Sequence, residues 1–425
     1  MAVGVLIVAV IVAASQMVEA PSRTLETVRG EQLLTVAERL MDKILLTPGY
    51  PPDWGSDVNV NRVCKPSEAP TGQCLSDFGL AMQGGAPYIV DPDKVMRLAN
   101  LSALANPIPL SAENLTCLLG LGECDREGNV VKVDYGFRLV MKPMITAQVE
   151  VLDWLNGVAS KLRVRVVNWL GEGVPNANVA GAYVVALIAE GLGSEPGTAE
   201  IIDVWDFTKS CITDALGWCE FDFASDVSSI MYGSGEQPAS FIALRIEWEG
   251  FVTVSVHPLS QVEAPLTGYI FGDYVFVEKD VDATVQPLLK GQISGAAIMK
   301  DEVIQVVARG RGPHIDPTEV KWCRGQPDDP AWCHEVAGRV LPSRRGAYLI
   351  GKVVYLEKLP SHVVLFAKWR GSWNTIVISR IPVVDILSYG LPEAKPANSV
   401  TLTRVTQIYG YPYVVQLTVW RAAEG

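Results

Sequence analysis

The first eighteen residues, MAVGVLIVAVIVAASQMV, carry no charged side chain, and Met1–Ala14 is apolar without a break. Such a run approaches the roughly 20 apolar residues that cross a bilayer. Three interpretations are open: a cleaved secretory signal, a membrane span, or an apolar helix that remains after removal of a short basic leader. A secretory signal normally has Lys or Arg ahead of its apolar part, and this segment has neither. The residues that follow favour the third interpretation.

From Leu25 the pattern becomes amphipathic, because apolar residues recur at steps of three and four. The apolar positions are Leu33, Val36, Ala37, Leu40, Met41, Ile44 and Leu45. We predict one helix over residues 1–46, about 70 Å long at about 1.5 Å per residue. Its apolar first third has nothing of its own chain to pack against, whereas the remainder lays one face on the globular part. The segment TPGYPP, residues 47–52, then ends the helix.

Length and composition narrow the class of protein. The chain has 425 residues, which at roughly 100–200 residues per domain predicts two to four domains. Asp and Glu number 47 against 35 Lys and Arg, and no basic run is interleaved with aromatic residues, which argues against nucleic acid as a partner. Hydrophobic residues make up 49% and charged residues only 19%, with 37 Gly and 27 Pro. This balance is typical of folded β-rich modules joined by turns.

The cysteines occur in four close pairs, and close spacing favours local disulfides. The predicted pairs are Cys64–Cys74, Cys117–Cys124, Cys211–Cys219 and Cys323–Cys333. No C-x-x-C occurs, so a zinc site has little support. Four disulfides imply an oxidising compartment or a hot environment.

Beyond residue 145 the pattern is that of short strands separated by Gly, Pro and Asn turns. We predict a β-sandwich over residues 148–260 and a second sandwich-like module over residues 261–425. Residues 1–46 form the N-terminal helix, and residues 47–147 form the region on which it docks. The predicted fold class is therefore α+β, a long N-terminal helix followed by mainly β modules.

Several quoted segments carry a family resemblance. The apolar and then amphipathic helix, followed by LLTPGYPPDWG, DFGLAM, YIVDPDKVMRL and YGFRLVMKP, resembles the archaeal type IV pilin-like proteins over residues 1–145. The resemblance implies that a prepilin peptidase removes a basic leader and that the apolar helices of many subunits bundle in a filament core. Bacterial pilins carry an acid near the N-terminus, and the chain departs from that pattern at Val5, since its first acid is Glu19. The core positions that the resemblance implies are Val3, Val5, Leu6, Ile7, Val10, Ile11, Val12 and Met17.

A second resemblance concerns the predicted sandwich. The strings GVPNANV (173–179) and TDALGWCEF (213–221) resemble immunoglobulin-like modules of the carboxypeptidase regulatory and bacterial surface type. The Asp214–Gly217 turn lies between Cys211 and Cys219, so this cysteine pair suits a cross-strand link.

No motif indicates catalysis. The four histidines, His257, His314, His334 and His362, have no metal-binding spacing, and we predict that they lie on the surface or in loops. No G-x-S-x-G, Walker loop or G-x-G-x-x-G occurs. The alternating acids Glu278, Asp280 and Asp282 fit a solvent-facing strand better than a calcium site. We therefore predict that the protein is not an enzyme and holds neither metal nor cofactor.

The hypothesis from sequence is a structural subunit of an extracellular, cell-surface filament that serves adhesion. Its partners are further copies of itself in a helical homopolymer, the membrane before assembly, and an unidentified surface or cell receptor. The sequons at Asn100 and Asn114 are candidate glycosylation sites. The alternative is a monomeric, membrane-anchored surface protein such as an adhesin or a minor pilin. A third possibility is polymerisation by donation of a β-strand to a neighbouring subunit. It needs an extended N-terminal segment, whereas the pattern of this segment predicts a helix.

Overall fold

The structure is a computed structural model. It describes residues 31–57, 60, 62–68, 70, 72–98, 110, 112–190, 199–260, 268–271, 274–278, 284–286, 304–306, 321–322, 348–352, 362–369, 372–379, 387–390 and 399–422. Within these ranges strands far outnumber helices, and the fold is mainly β.

The described residues contain four helices: α1 (31–46), α2 (Pro92–Leu98), α3 (Ala112–Leu119) and α4 (Ala224–Val227). The predicted α+β class is wrong, because the described part of the chain is built from sheets with these short helices placed against them. It holds no long N-terminal helix, since α1 begins at residue 31, and residues 1–30 of the predicted helix lie outside the described residues. None of the described helices combines the length and the apolar character needed to cross a bilayer.

The strands are β1 (Ile89–Val90), β2 (Gly122–Cys124), β3 (Val130–Val133), β4 (Tyr135–Pro143), β5 (Ile145–Leu155), β6 (Val158–Asn168), β7 (Asn178–Glu190), β8 (Ala199–Ile212), β9 (Trp218–Asp222), β10 (Glu236–Trp248), β11 (Phe251–Leu259), β12 (Gly268–Phe271), β13 (Tyr274–Glu278), β14 (Thr284–Gln286), β15 (Ile304–Val306), β16 (Lys321–Trp322), β17 (Tyr348–Lys352), β18 (His362–Trp369), β19 (Ser372–Ser379), β20 (Leu387–Gly390), β21 (Ser399–Ile408) and β22 (Tyr411–Arg421).

These strands form five sheets in the described residues. The central sheet has the order β11-β10-β7-β8, and the outer sheet has the order β5-β6-β9. The helix-bearing sheet has the order β1-β21-β22-β4-β20. The C-terminal sheet contains the eight strands from β12 through β19. Seven of them have the order β14-β18-β19-β12-β13-β17-β16, and β15 pairs with β18. The fifth sheet consists of β2 and β3 alone.

The central and outer sheets form a β-sandwich. Alternate residues of each strand point into the shared core, as expected for strands with one buried face. Three aromatic rings fill its middle, with centroids 4.9 Å apart for Tyr183 and Phe223 and 5.9 Å apart for Phe221 and Phe223. Two facing antiparallel sheets are compatible with the predicted immunoglobulin-like module.

The central sheet is buried on both faces, which explains the unbroken apolar run of β7, NVAGAYVVALIAE. Its second face packs against the hairpin β18–β19 through Val364 and Trp373. Polar contacts join the same layers, because the Thr375 hydroxyl donates to the Ser240 carbonyl at 2.9 Å. Segments that the sequence assigned to two separate sandwiches therefore share one interface.

The helix-bearing sheet unites segments far apart in the chain. Strand β4 pairs with β22 from Tyr135 opposite Arg421 to Pro143 opposite Tyr413. The hairpin partner β21 pairs in parallel with β1. Residues of α1 share one core with β4 and β22, so this sheet is the surface on which α1 lies.

Candidate functional site: a helix end held by buried cations

Helix α1 buries one stripe and exposes the opposite side. Leu33, Ala37, Leu40, Met41, Ile44 and Leu45 are buried. They pack in the same core as Phe137 and Leu417 of the helix-bearing sheet. The prediction that this part of the helix lays an apolar face on its own chain is confirmed for residues 31–46.

The segment DFGLAM, residues 77–82, caps the C-terminal end of α1. The Leu80 N–H donates to the Ile44 carbonyl at 2.7 Å, and the Ala81 N–H donates to the Thr47 carbonyl at 3.0 Å. These bonds satisfy carbonyl groups that the end of a helix leaves without an intrahelical partner. The quoted motif therefore holds the end of α1 through its backbone.

Gly49 makes this close approach possible. Its φ is +74°, and a Cβ atom at this position would lie 2.7 Å from the Asp77 carbonyl oxygen and 2.9 Å from the Gly79 nitrogen. Neither the backbone conformation nor the space suits a larger residue. Gly49 of the segment that ends the helix thus also lets residues 47–50 pack against residues 77–79.

Two cations of α2 hold the loop that follows the helix. Lys94 is fully buried, and its Nζ donates to the carbonyls of Pro48 at 2.9 Å and Ala81 at 2.7 Å. Arg97 is 6% exposed. Its Nε donates to Gly55 at 2.9 Å, its Nη1 to Val60 at 2.6 Å, and its Nη2 to the Asp57 carbonyl.

The carboxylate of Asp91 begins α2 and faces Lys94. Its Oδ1 accepts from the Asp93 N–H at 2.9 Å in the manner of an N-cap, and Pro92 follows at the first helical position. Its Oδ2 lies 3.8 Å from Lys94 Nζ. Burial raises the pKa of Asp91, lowers the pKa of Lys94 and lowers the pKa of Arg97 to about 10. Desolvation therefore opposes the charged form of all three groups. The carbonyl acceptors offset this cost for Lys94 and Arg97.

We use the name helix clamp for residues 77–82 together with the side chains of Lys94 and Arg97. Trp54 lies beside it, and its Nε1 donates to the Gly79 carbonyl at 3.1 Å. The clamp binds main-chain carbonyls of residues 44–60 and fixes the direction in which α1 leaves the globular part. It offers positioning rather than chemistry, and the described residues contain no cluster of three potential metal ligands.

The structure places only some of the predicted site residues. The predicted core positions Val3, Val5, Leu6, Ile7, Val10, Ile11, Val12 and Met17 lie outside the described residues, as do Asn100, Cys323 and Cys333. Asn114 lies in α3 and is half-buried, and Thr116 of the same sequon is 7% exposed. Asn114 is therefore less open to a transferase than a loop sequon in the folded protein.

Three disulfides are present in the described residues: Cys64–Cys74, Cys117–Cys124 and Cys211–Cys219. They are pairs that the spacing predicts. Cys211 belongs to β8 of the central sheet and Cys219 to β9 of the outer sheet, so this bridge joins the two layers instead of two strands of one hairpin. Three intramolecular disulfides are typical of an extracellular or secreted protein.

Two histidines occupy strands, which corrects the prediction of surface or loop positions. His362 begins β18 and is buried, and His257 lies half-buried in β11. Burial lowers the pKa of His257 to about 4, and burial together with His257 lowers the pKa of His362 to about 3. Both residues belong to strands that pack against other sheets. The residues that flank them in sequence do not indicate such packing. His314 and His334 lie outside the described residues.

Sequence reasoning missed the roles of Lys94 and Arg97. Charges three residues apart on a short helix are typical of a solvated face. Apart from the Ala81 carbonyl, their acceptors belong to a loop some forty positions earlier, so no signal near Lys94 and Arg97 in the sequence could identify them.

Comparisons with protein-family models, with curated proteins and with solved structures found no match to this chain.

Proposed function

We propose that the protein is a structural subunit of an extracellular filament of the type IV pilus-like class. The apolar segment 1–18 of each subunit packs among those of its neighbours, and the β-rich body faces outward. The disulfides suit a body exposed to an oxidising exterior. The filament serves attachment to surfaces or to other cells.

The helix clamp is the observation that carries this proposal. A helical polymer requires every body to project from the axis at the same angle, because a heterologous contact repeats identically along the assembly. Buried Lys94 and Arg97, the backbone cap of residues 77–82 and the apolar stripe of α1 together prevent the body from pivoting on α1. A monomeric surface protein on a membrane anchor needs no such fixed angle.

The test compares filament formation by the full chain with two variants at Val10. We expect Val10→Leu to polymerise and Val10→Asp to leave folded, unassembled subunits, since a buried unpaired carboxylate is costly among apolar segments. Negative-stain electron microscopy of shed surface material gives the readout, and near-UV circular dichroism checks the body. A chain that lacks residues 1–18 and still forms the same filaments would overturn the proposal. Membrane-bound particles without any polymer would favour the anchored monomer.

A further inference from the structure

A row of three different side chains crosses the outward face of the outer sheet. Gln148 of β5 is paired with Arg165 of β6, which is paired with Trp218 of β9. Directly paired residues of antiparallel strands lie on the same face with side chains in reach of one another. The row therefore brings an amide, a guanidinium and an indole together on the surface of the sandwich.

Arg165 is the uncommitted cation of this face. Its neighbours along β6 are ion-paired, because they share Glu220, which lies 3.2 Å from Arg163 Nε and 3.5 Å from Lys161 Nζ. Within the described residues the side chain of Arg165 makes neither a hydrogen bond nor an ion pair, and its Nε is shielded from solvent without an acceptor. Its two Nη groups are not shielded, so their N–H donors are open to an acceptor that comes from a ligand.

Trp218 orients the guanidinium groups. The Cζ atoms of Arg163 and Arg165 lie 5.0 Å and 5.5 Å from the centroid of its ring, within the range of cation–π attraction. An oriented guanidinium presents a planar pair of N–H donors that matches the two oxygens of a carboxylate. The indole adds an apolar surface beside that fork. Together they suit a ring that carries one carboxylate.

The flanking acids restrict the ligand further. Glu150 lies opposite Arg163 in the next row and is exposed, and it forms no ion pair within the described residues. An extended acidic protein surface over Arg165 would place negative charge against Glu150 and Glu220. A sugar has one carboxylate at most per ring, and its hydroxyl groups can donate to Glu150 and bond the amide of Gln148.

We propose that this row is a binding site for an acidic sugar, a pyranose ring with a carboxylate, within a surface or secreted polysaccharide. The carboxylate accepts two hydrogen bonds from Arg165, the ring lies against Trp218, and hydroxyl groups bond Gln148 and Glu150. The site goes beyond the proposed function, because it belongs to the outer sheet and does not depend on polymerisation.

Calorimetric titration of the full chain tests the site, with polygalacturonate as the probe and the same polymer with its carboxylates reduced to alcohols as the control ligand. We expect the native polymer alone to bind. Arg165→Gln should weaken binding about tenfold or more, the usual loss for a charge-assisted pair. Arg165→Lys should also weaken it, because the ammonium lacks the planar fork. Lys161→Gln, which removes from the same face a cation that is already paired with Glu220, should change binding less than about twofold.

Four results would overturn the proposal. They are absence of binding by the unaltered chain, equal binding of the native and reduced polymers, an equal loss in Lys161→Gln and Arg165→Gln, and equally tight binding of polyglutamate, which would show that an acidic peptide satisfies the site. Thermal unfolding of each variant separates loss of the site from loss of the fold.

Discussion

Arg97 on α2 and Arg165 on β6 are the same side chain in opposite settings. Arg97 is buried and donates from all three of its nitrogen atoms to the carbonyls of Gly55, Asp57 and Val60. Arg165 lies on a sheet face, and none of its nitrogen atoms has an acceptor within the described residues. A cation with a full set of acceptors is part of the scaffold, whereas a cation whose outer N–H groups are exposed and have no protein acceptor is available to a ligand.

The largest expected effect comes from removing the satisfied cation. Arg97→Met should lower the free energy of unfolding by about 3 kcal/mol, because three carbonyls of the loop lose their buried donor. Urea unfolding measures this loss. The matched variant Arg165→Gln should stay within about 0.5 kcal/mol of the unaltered chain, as for a surface substitution. Equal losses in the two variants would erase the distinction between the two arginines.

Acidification should destabilise the folded protein through its buried histidine, His362. The pKa of His362 is about 3 in the folded protein, below the roughly 6.5 of an unfolded histidine. Between these values the unfolded chain binds a proton that the folded chain does not. Stability is therefore fully present above about pH 6.5 and falls towards pH 3, by about 2 kcal/mol between pH 7 and pH 4.5 from this residue.

Unfolding measured at both pH values checks this expectation. His362→Gln does not titrate, so the difference between the two pH values should shrink by a similar amount. His257, whose pKa is about 4, should keep part of the pH dependence in that variant. An unchanged difference in His362→Gln would assign the acid sensitivity to carboxylates instead.

Gly49 packs against the helix clamp and Gly72 does not, so the two glycines separate the cost of backbone strain from the cost of lost space. Their φ values are +74° and +75°, but a Cβ atom would collide with backbone only at Gly49, and nothing lies within 4 Å at Gly72. Gly72→Ala should cost about 1 kcal/mol through its backbone conformation, and Gly49→Ala should cost about 2 kcal/mol or more. Thermal unfolding of the two variants measures both losses of stability. Equal losses would mean that the backbone around Gly49 moves to accommodate a Cβ atom at no cost in free energy.

The smallest expected effect concerns the turn before Trp218. Asp214 Oδ1 accepts from the N–H groups of Leu216 and Trp218 at 2.9 Å each, and Asn168 Oδ1 accepts similarly from Leu170 and Glu172. Asp214→Ala and Asn168→Ala should each cost about 1 kcal/mol. Only Asp214→Ala should also weaken polygalacturonate binding, because it loosens the start of β9. Calorimetric titration of both variants with polygalacturonate decides whether the ordered turn holds Trp218 in its place in the row. Equal binding by the two variants would show that it does not.

Features that depend on neighbours in sequence were predictable. The apolar stripe of α1 follows from its three- and four-residue spacing, and the described disulfides join cysteines ten or fewer residues apart. The turn at Asn156–Gly157 between β5 and β6, with φ of 51° and 72°, matches a dipeptide that strongly favours hairpins. Each signal is complete within a few residues.

Features that depend on distant partners were not predictable. The α+β expectation gave weight to a helical pattern near the start of the chain, while the sheets depend on pairings such as β4 with β22. His362 was predicted to lie on the surface or in a loop, because the contact of its strand with the central sheet has no local signal in the sequence. Arg97 and Arg165 have the same preference for exposure in sequence, and only the carbonyls around Arg97 distinguish them.

The pairing of β4 with β22 also sets the order of events during synthesis. The surface on which α1 lies includes residues up to Arg421, so a nascent chain on the ribosome has made α1 long before its docking partner exists. The apolar stripe of α1 therefore has its complete packing surface only after the hairpin β21–β22 has been made. A chain that ends before β21 lacks part of the surface that covers the apolar stripe of α1, so that stripe stays exposed to water.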